Sequence, residues 1–117
     1  MNIERLREYC LSKPHVTEGF PFDEVTLVFK VAGKMFALTS LERLPASVNL
    51  KCDPDRSLDL QESYEQIKPG YHMNKKHWIT VEYSDLQDSF FYEIVDHSYE
   101  LVVKSLTKKT RNELNLS

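Results

Sequence analysis

Three neighbouring residues, Asp96, His97 and Ser98, supply the side-chain types of a hydrolase triad. They fall in a stretch of helical periodicity, where consecutive side chains point about 100° apart and do not face one another. A proton cannot be relayed along that row, and His97 reads as a partly buried helix residue with one hydrogen bond. His72 and His77 stand five apart, but no cysteine or carboxylate lies between or beside them to complete a metal-ligand set. Cys10 has no base near it in sequence to make it a nucleophile. The glycines Gly19, Gly33 and Gly70 form neither G-x-x-x-x-G-K nor G-x-G-x-x-G, so the usual phosphate loops are absent. No catalytic residue, metal or cofactor is expected.

Residues 66–81 carry the densest signal. Lys68, His72, Lys75, Lys76 and His77 occur there with Tyr71 and Trp78 between or beside them, and no acid interrupts them. Lysine suits contact with phosphate, and an aromatic ring offers a surface for stacking. The competing reading is structural: lysines are ordinary at a turn and at a sheet edge, where they block aggregation, and Trp78 reads equally as core. Lys104, Lys108, Lys109 and Arg111 suit the negative end of a helix dipole better than a binding tail.

These residues need elements to hold them. A helix is expected over residues 2–12, capped by Asn2, with Ile3, Leu6 and Cys10 on one face and Pro14 as its stop. His15 to Glu24 reads as a loop in which Phe20 and Phe22 around Pro21 plug onto the core. Val25, Leu27, Phe29 and Val31 alternate with Thr26, Val28 and Lys30 as a strand. Ala32-Gly33 turns it into a second strand over 34–39, and 47–52 makes a third. Asp53-Pro54-Asp55 starts a helix running to about Ser63, aspartate capping and proline in the first turn. A short irregular strand spans 67–73, broken by Pro69-Gly70, and a further strand spans 76–83. Ser84-x-x-Gln87 resembles a capping box opening the longest helix. That helix runs to about Leu106, with Phe91, Ile94, Val95, Leu101, Val102 and Leu106 as its apolar stripe. Lys108 to Ser117 reads as a frayed polar tail.

The 117 residues suit a single domain, 1–117, with its ordered part ending near 107. The net charge of −3 and pI of about 5.8 argue against a strongly basic nucleic-acid binder, though not against a local basic patch on an acidic body. Cys10 and Cys52 read as buried thiols rather than a disulfide. No signal-like or membrane-length apolar run occurs, so a cytoplasmic monomer with no membrane association is expected. The order of elements predicts an α+β fold, α-β(3)-α-β(2)-α. Its sheet would be five-stranded, mainly antiparallel, with helices packed on one face.

Several separate stretches, in order, resemble the MmcQ/YjbR family. They are Glu8-Tyr9-Cys10-Leu11-Ser12, Phe20-Pro21-Phe22-Asp23, Leu27-Val28-Phe29-Lys30-Val31 and Gly33-Lys34-Met35-Phe36-Ala37-Leu38. Asn49-Leu50-Lys51-Cys52-Asp53-Pro54, residues 69–78 from Pro69 to Trp78, and Asp96 to Val102 complete the series. The resemblance implies the same α-β(3)-α-β(2)-α order, grouped with CyaY-like and secretion-chaperone-like folds. It implies no enzymatic activity. It also implies DNA binding by a double-wing arrangement of hairpins. Carried onto this chain, the positive motif is Lys68, His72, Lys75, Lys76, His77 and Trp78, with Lys30 and Lys34 on the first hairpin as a second wing. Non-specific phosphate contact with DNA is the leading expectation. A protein-interaction or chaperone-like module, using an open sheet face or the Phe20-Pro21-Phe22 loop, is the alternative.

Overall fold

A computed structural model describes residues 1–116. In chain order the elements are α1 (Ile3–Leu11), β1 (Val16–Gly19), β2 (Thr26–Val31), β3 (Lys34–Ser40), β4 (Ser47–Lys51), α2 (Pro54–Ser63), β5 (Ile67–Pro69), β6 (Trp78–Glu82), α3 (Asp88–Ser105) and α4 (Lys108–Glu113). The class is α+β, as the pattern predicts. The sheet has six strands in the order β1-β2-β3-β4-β6-β5, every neighbouring pair antiparallel.

The additional strand is β1, inside the segment expected to be a loop. Its sequence, Val-Thr-Glu-Gly, is too short for alternation to mark it. It is held by pairing with β2, Val16 opposite Val31 and Gly19 opposite Val28, and by Arg7 of α1, whose guanidinium donates to Glu18 at 2.8 and 2.5 Å. The Phe20-Pro21-Phe22 segment that follows is not a plug. Phe20 is 48% and Phe22 63% exposed, because the strand ahead of it ends at the sheet edge and throws the loop outward.

Strand alternation divides the sheet into two faces. Leu27, Phe29, Val31, Leu50, Ile79 and Val81 meet Leu6, Cys10, Leu60, Phe91, Ile94, Val95 and Val102 in one core under the helices. Among the described residues, no helix packs on the opposite face. Val28, Leu38 and Trp78 form a smaller cluster there, with Met35 and Met73 packed against it. Trp78 is therefore buried, as the structural reading of it required, and is not an exposed stacking ring.

The sequence signals for helix ends hold at α1 and α2 and fail at the start of α3 and in the tail. Asn2 caps α1 by accepting from the Arg5 N–H, and Asp53 caps α2 by accepting from Asp55 and Arg56. α3 starts at Asp88 with Gln87 as its N-cap and no side-chain cap, so Ser84 opens a turn rather than a capping box. The polar tail is helical: Thr107 caps α4 through the Thr110 N–H, the Leu114 carbonyl lies 2.7 Å from His15 Nε2, and Leu116 packs on the core. Cys10 and Cys52 are buried free thiols, as expected, and burial raises them to about 12 and about 11. No helix among the described residues is long and apolar enough to cross a membrane.

Candidate nucleic-acid interface

The β5–β6 connection carries most of the basic motif. Gly70 N–H donates to the Trp78 carbonyl (3.0 Å), while His77 and Trp78 donate to the Asn74 carbonyl at 3.2 and 3.0 Å. The Asn74 side chain accepts from the Lys76 N–H at 2.9 Å. This turn leaves His72, Lys75, Lys76 and His77 exposed. Lys68 is not available with them. It lies on β5, level with Thr80, and its ammonium pairs with Glu82 at 2.7 Å.

Lys34 reaches the same end of the sheet. Ala37 opposes Leu50 and Lys51 opposes Trp78, so the start of β3, the end of β4 and the start of β6 lie side by side. Two strand spacings, roughly 10 Å, separate the Lys34 strand from the His77 turn. Lys34 follows a turn in which Ala32 (φ 50°) and Gly33 (φ 82°) both adopt positive φ, the geometry of a two-residue hairpin.

Three further cations join this side of the molecule. Lys30 and Lys51 alternate with residues of the helix-covered core and so face the open side; Lys30 lies beside Val28. The Arg43 guanidinium stacks on Tyr71, 3.6 Å from the ring centroid. Among the described residues, no ion pair reaches Lys30, Lys34, Arg43, Lys51, Lys75 or Lys76. By contrast, the cations of α1, α2 and the α1–β1 turn are engaged: Arg5 with Asp88, Arg7 with Glu18, Lys13 with Asp96, Arg56 with Glu93. The helices also hold most of the acid. α2 and α3 carry Asp55, Asp59, Glu62, Asp88, Glu93, Asp96 and Glu100 against Arg56 and Lys104.

A cleft of about 530 Å³ runs along the open face. Leu38, Ser40, Ser47 and Asn49 lie along its β3–β4 floor, with Phe22 and Asp23 from one loop and Tyr71, His72 and Met73 from the other. Asp23 accepts from the Val25 and Thr26 N–H groups and the Thr26 hydroxyl, which holds its carboxyl below the usual range. His72 sits at φ 58°, in the left-handed region. The sequence reading missed Arg43 and this cleft. Arg43 stands alone in a segment without periodicity, and no local signal joins it to Tyr71.

The remaining chemistry-bearing residues part company in space. Ser98 Oγ donates to the Phe36 carbonyl (2.5 Å) and accepts from the Lys51 N–H (2.8 Å). His97 Nε2 accepts from the Asp53 N–H at 3.2 Å, the single hydrogen bond expected of it. Asp96 accepts from the Tyr9 hydroxyl at 2.6 Å and pairs with Lys13.

Comparison with known proteins agrees with this architecture. The family model described as YjbR matches residues 11–101. An Escherichia coli protein named "Uncharacterized protein YbdF" is 39% identical over 112 residues, covering 95% of this chain and 92% of its own. "Uncharacterized protein YjbR" of Escherichia coli is 36% identical over 117 residues, with 97% and 98% covered. A Deinococcus radiodurans crystal structure of a DUF419 domain protein superposes with a TM-score of 0.92 at 41% identity, over 99% of this chain and 89% of that one. A Pseudomonas syringae protein gives a TM-score of 0.74 at 26% identity, over 86% and 98%.

Proposed function

The chain belongs to the YjbR family, and from that premise we propose that it binds DNA through phosphate contacts on the open side of its sheet. One observation carries the reading: among the described residues, the cations outside ion pairs on β2, β3, β4, the β3–β4 loop and the β5–β6 turn gather on the open face and at one end of the sheet. Lys34, Lys75 and Lys76 at the sheet end, with Lys30, Lys51 and Arg43 along the open face, meet the phosphates; His72 and His77 border them. Lys68 and Trp78 support the turn rather than touch DNA. A net acidic charge is then compatible with a polyanionic partner, because α1, α2 and α3 carry nine of the eighteen acids, away from the open face. Lysine contacts to phosphate carry no base information, so binding is weakly specific.

The test is fluorescence anisotropy of labelled DNA, duplex and single-stranded, from low to physiological salt. Log affinity should fall linearly with log salt by about 0.9 per phosphate neutralised. Changing Lys75→Glu together with Lys76→Glu should weaken binding and reduce the slope by about 2. Absence of binding to either DNA at low salt would overturn the proposal and favour a protein partner on the exposed Phe20, Phe22 and Leu44.

A further inference from the structure

The open-face cleft has walls and a floor that phosphate contact alone does not use. On one side stands the Arg43–Tyr71 stack, and on the other Phe22, 63% exposed. The Tyr71 backbone is pinned from both directions. Its N–H donates to Thr80 Oγ1 (2.8 Å), its carbonyl accepts from Asn49 Nδ2 (3.1 Å), and Thr80 Oγ1 donates to Asn49 Oδ1 (2.6 Å). Tyr71 is 49% exposed, and the His72 ring meets its ring edge-on with centroids 4.1 Å apart. A half-exposed aromatic on an immobilised backbone, with a guanidinium plane laid over it, is a preformed stacking platform.

We infer that this cleft receives an unpaired nucleobase, so that the protein holds single-stranded DNA in preference to duplex; the inference rests on the DNA reading above. Unstacked bases are recognised by stacking on aromatic rings and arginine planes, beside cations that track the backbone. Both parts are present. Arg43, Tyr71 and Phe22 offer planar surfaces, Leu38 an apolar floor, and Ser40, Ser47 and Asn49 a polar part of the lining. The volume of about 530 Å³ lies within the range of small-ligand sites. Lys30 and Lys51 lie on the same face toward one end of the sheet, where Lys75 and Lys76 stand on the β5–β6 turn, a path that leads phosphates away along one side of the seated base. Asp23, ionised on the Phe22 wall, keeps the phosphate chain to the lysine side. A duplex cannot use the cleft, because its bases are paired and stacked inside the helix.

Anisotropy with a labelled thymidine oligomer and a duplex of equal length, at one salt concentration, tests the inference. The single strand should bind at least about fivefold tighter, the low end of one stacked base. Tyr71→Ala and Phe22→Ala should each lower single-strand affinity by roughly five- to a hundredfold while leaving duplex affinity and the salt slope unchanged. Tyr71→Phe, which retains the ring, should behave as the parent and shows that loss of stacking rather than of fold is being read. The Lys75→Glu, Lys76→Glu pair should weaken both substrates alike. Equal affinity for the two substrates, or a Tyr71→Ala effect common to both, overturns the base-binding cleft and leaves phosphate binding standing. Failure of both substrates to bind at low salt removes the two readings together.

Discussion

At the scale of single residues, the Asp96-His97-Ser98 run shows how adjacency in sequence differs from convergence in space. Each side chain fastens α3 to a different neighbour: Asp96 to α1 through Tyr9, His97 to the cap of α2, Ser98 to β3 and β4. His97 accepts a hydrogen bond, so the bonded nitrogen must be unprotonated. Burial pushes its pKa below the ordinary 6.5. Between these two values the unfolded chain binds more protons than the folded one, so stability rises with pH across the window and is lost as pH falls from 6.5. Urea midpoints at about pH 5 and about pH 7.5 should therefore differ more in the parent than in His97→Gln, which keeps an acceptor but does not titrate. An equal pH dependence in the variant would assign the effect to other groups.

At the scale of elements, two turns decide where the candidate site stands. The β2–β3 hairpin places Ala32 and Gly33 at positive φ, and Lys34 emerges directly from it. The β5–β6 connection depends on a close approach instead. A Cβ at Gly70 would lie 2.8 Å from Trp78 Cβ and 2.9 Å from the Trp78 carbonyl oxygen, with no room for the backbone to yield while the Gly70–Trp78 hydrogen bond persists. Gly70→Ala should therefore cost about 1–3 kcal/mol, the range of overpacking a tight contact. Because the same segment carries Tyr71, the variant should also lose its preference for single-stranded DNA. A thermal melt and the anisotropy assay check the two effects separately. An unchanged melting temperature would mean that the connection is not anchored through this contact.

At the scale of the whole molecule, the two layers differ in charge as well as in structure. The helices bury one face of the sheet, with Arg5, Arg7 and Arg56 on them held in ion pairs, while the other face keeps an uncovered strip with lysines at its margins. A net charge of −3 averages over this separation. The polarity predicts that the protein is retained at low salt by both a strong anion exchanger and a sulfated polyanion column such as heparin. Lys75→Glu with Lys76→Glu should abolish only the second retention. Passage of the parent protein straight through heparin would mean that the cations do not act as one surface.

The amino-acid sequence alone determined the α+β class, the caps of α1 and α2, the alternation of β2 and β6, the burial of both cysteines and the family motifs. All of these arise from periodicity or from neighbours within a few residues, where side-chain direction follows backbone geometry. Tertiary structure alone decided the rest. β1 exists because β2 and Arg7 hold it, not because Val16–Gly19 prefers to be a strand. The tail helix is capped locally by Thr107, but Leu116 on the core and His15 at the Leu114 carbonyl fasten it to the fold. Phe20 and Phe22 face outward because the preceding strand ends at an edge. Lys68 leaves the basic set because antiparallel pairing sets Glu82 within reach, and Arg43 enters it because the fold lays it on Tyr71, 28 positions away in the chain. Partners at such separations leave no local pattern, since only the register of the sheet and the packing of its loops bring them together.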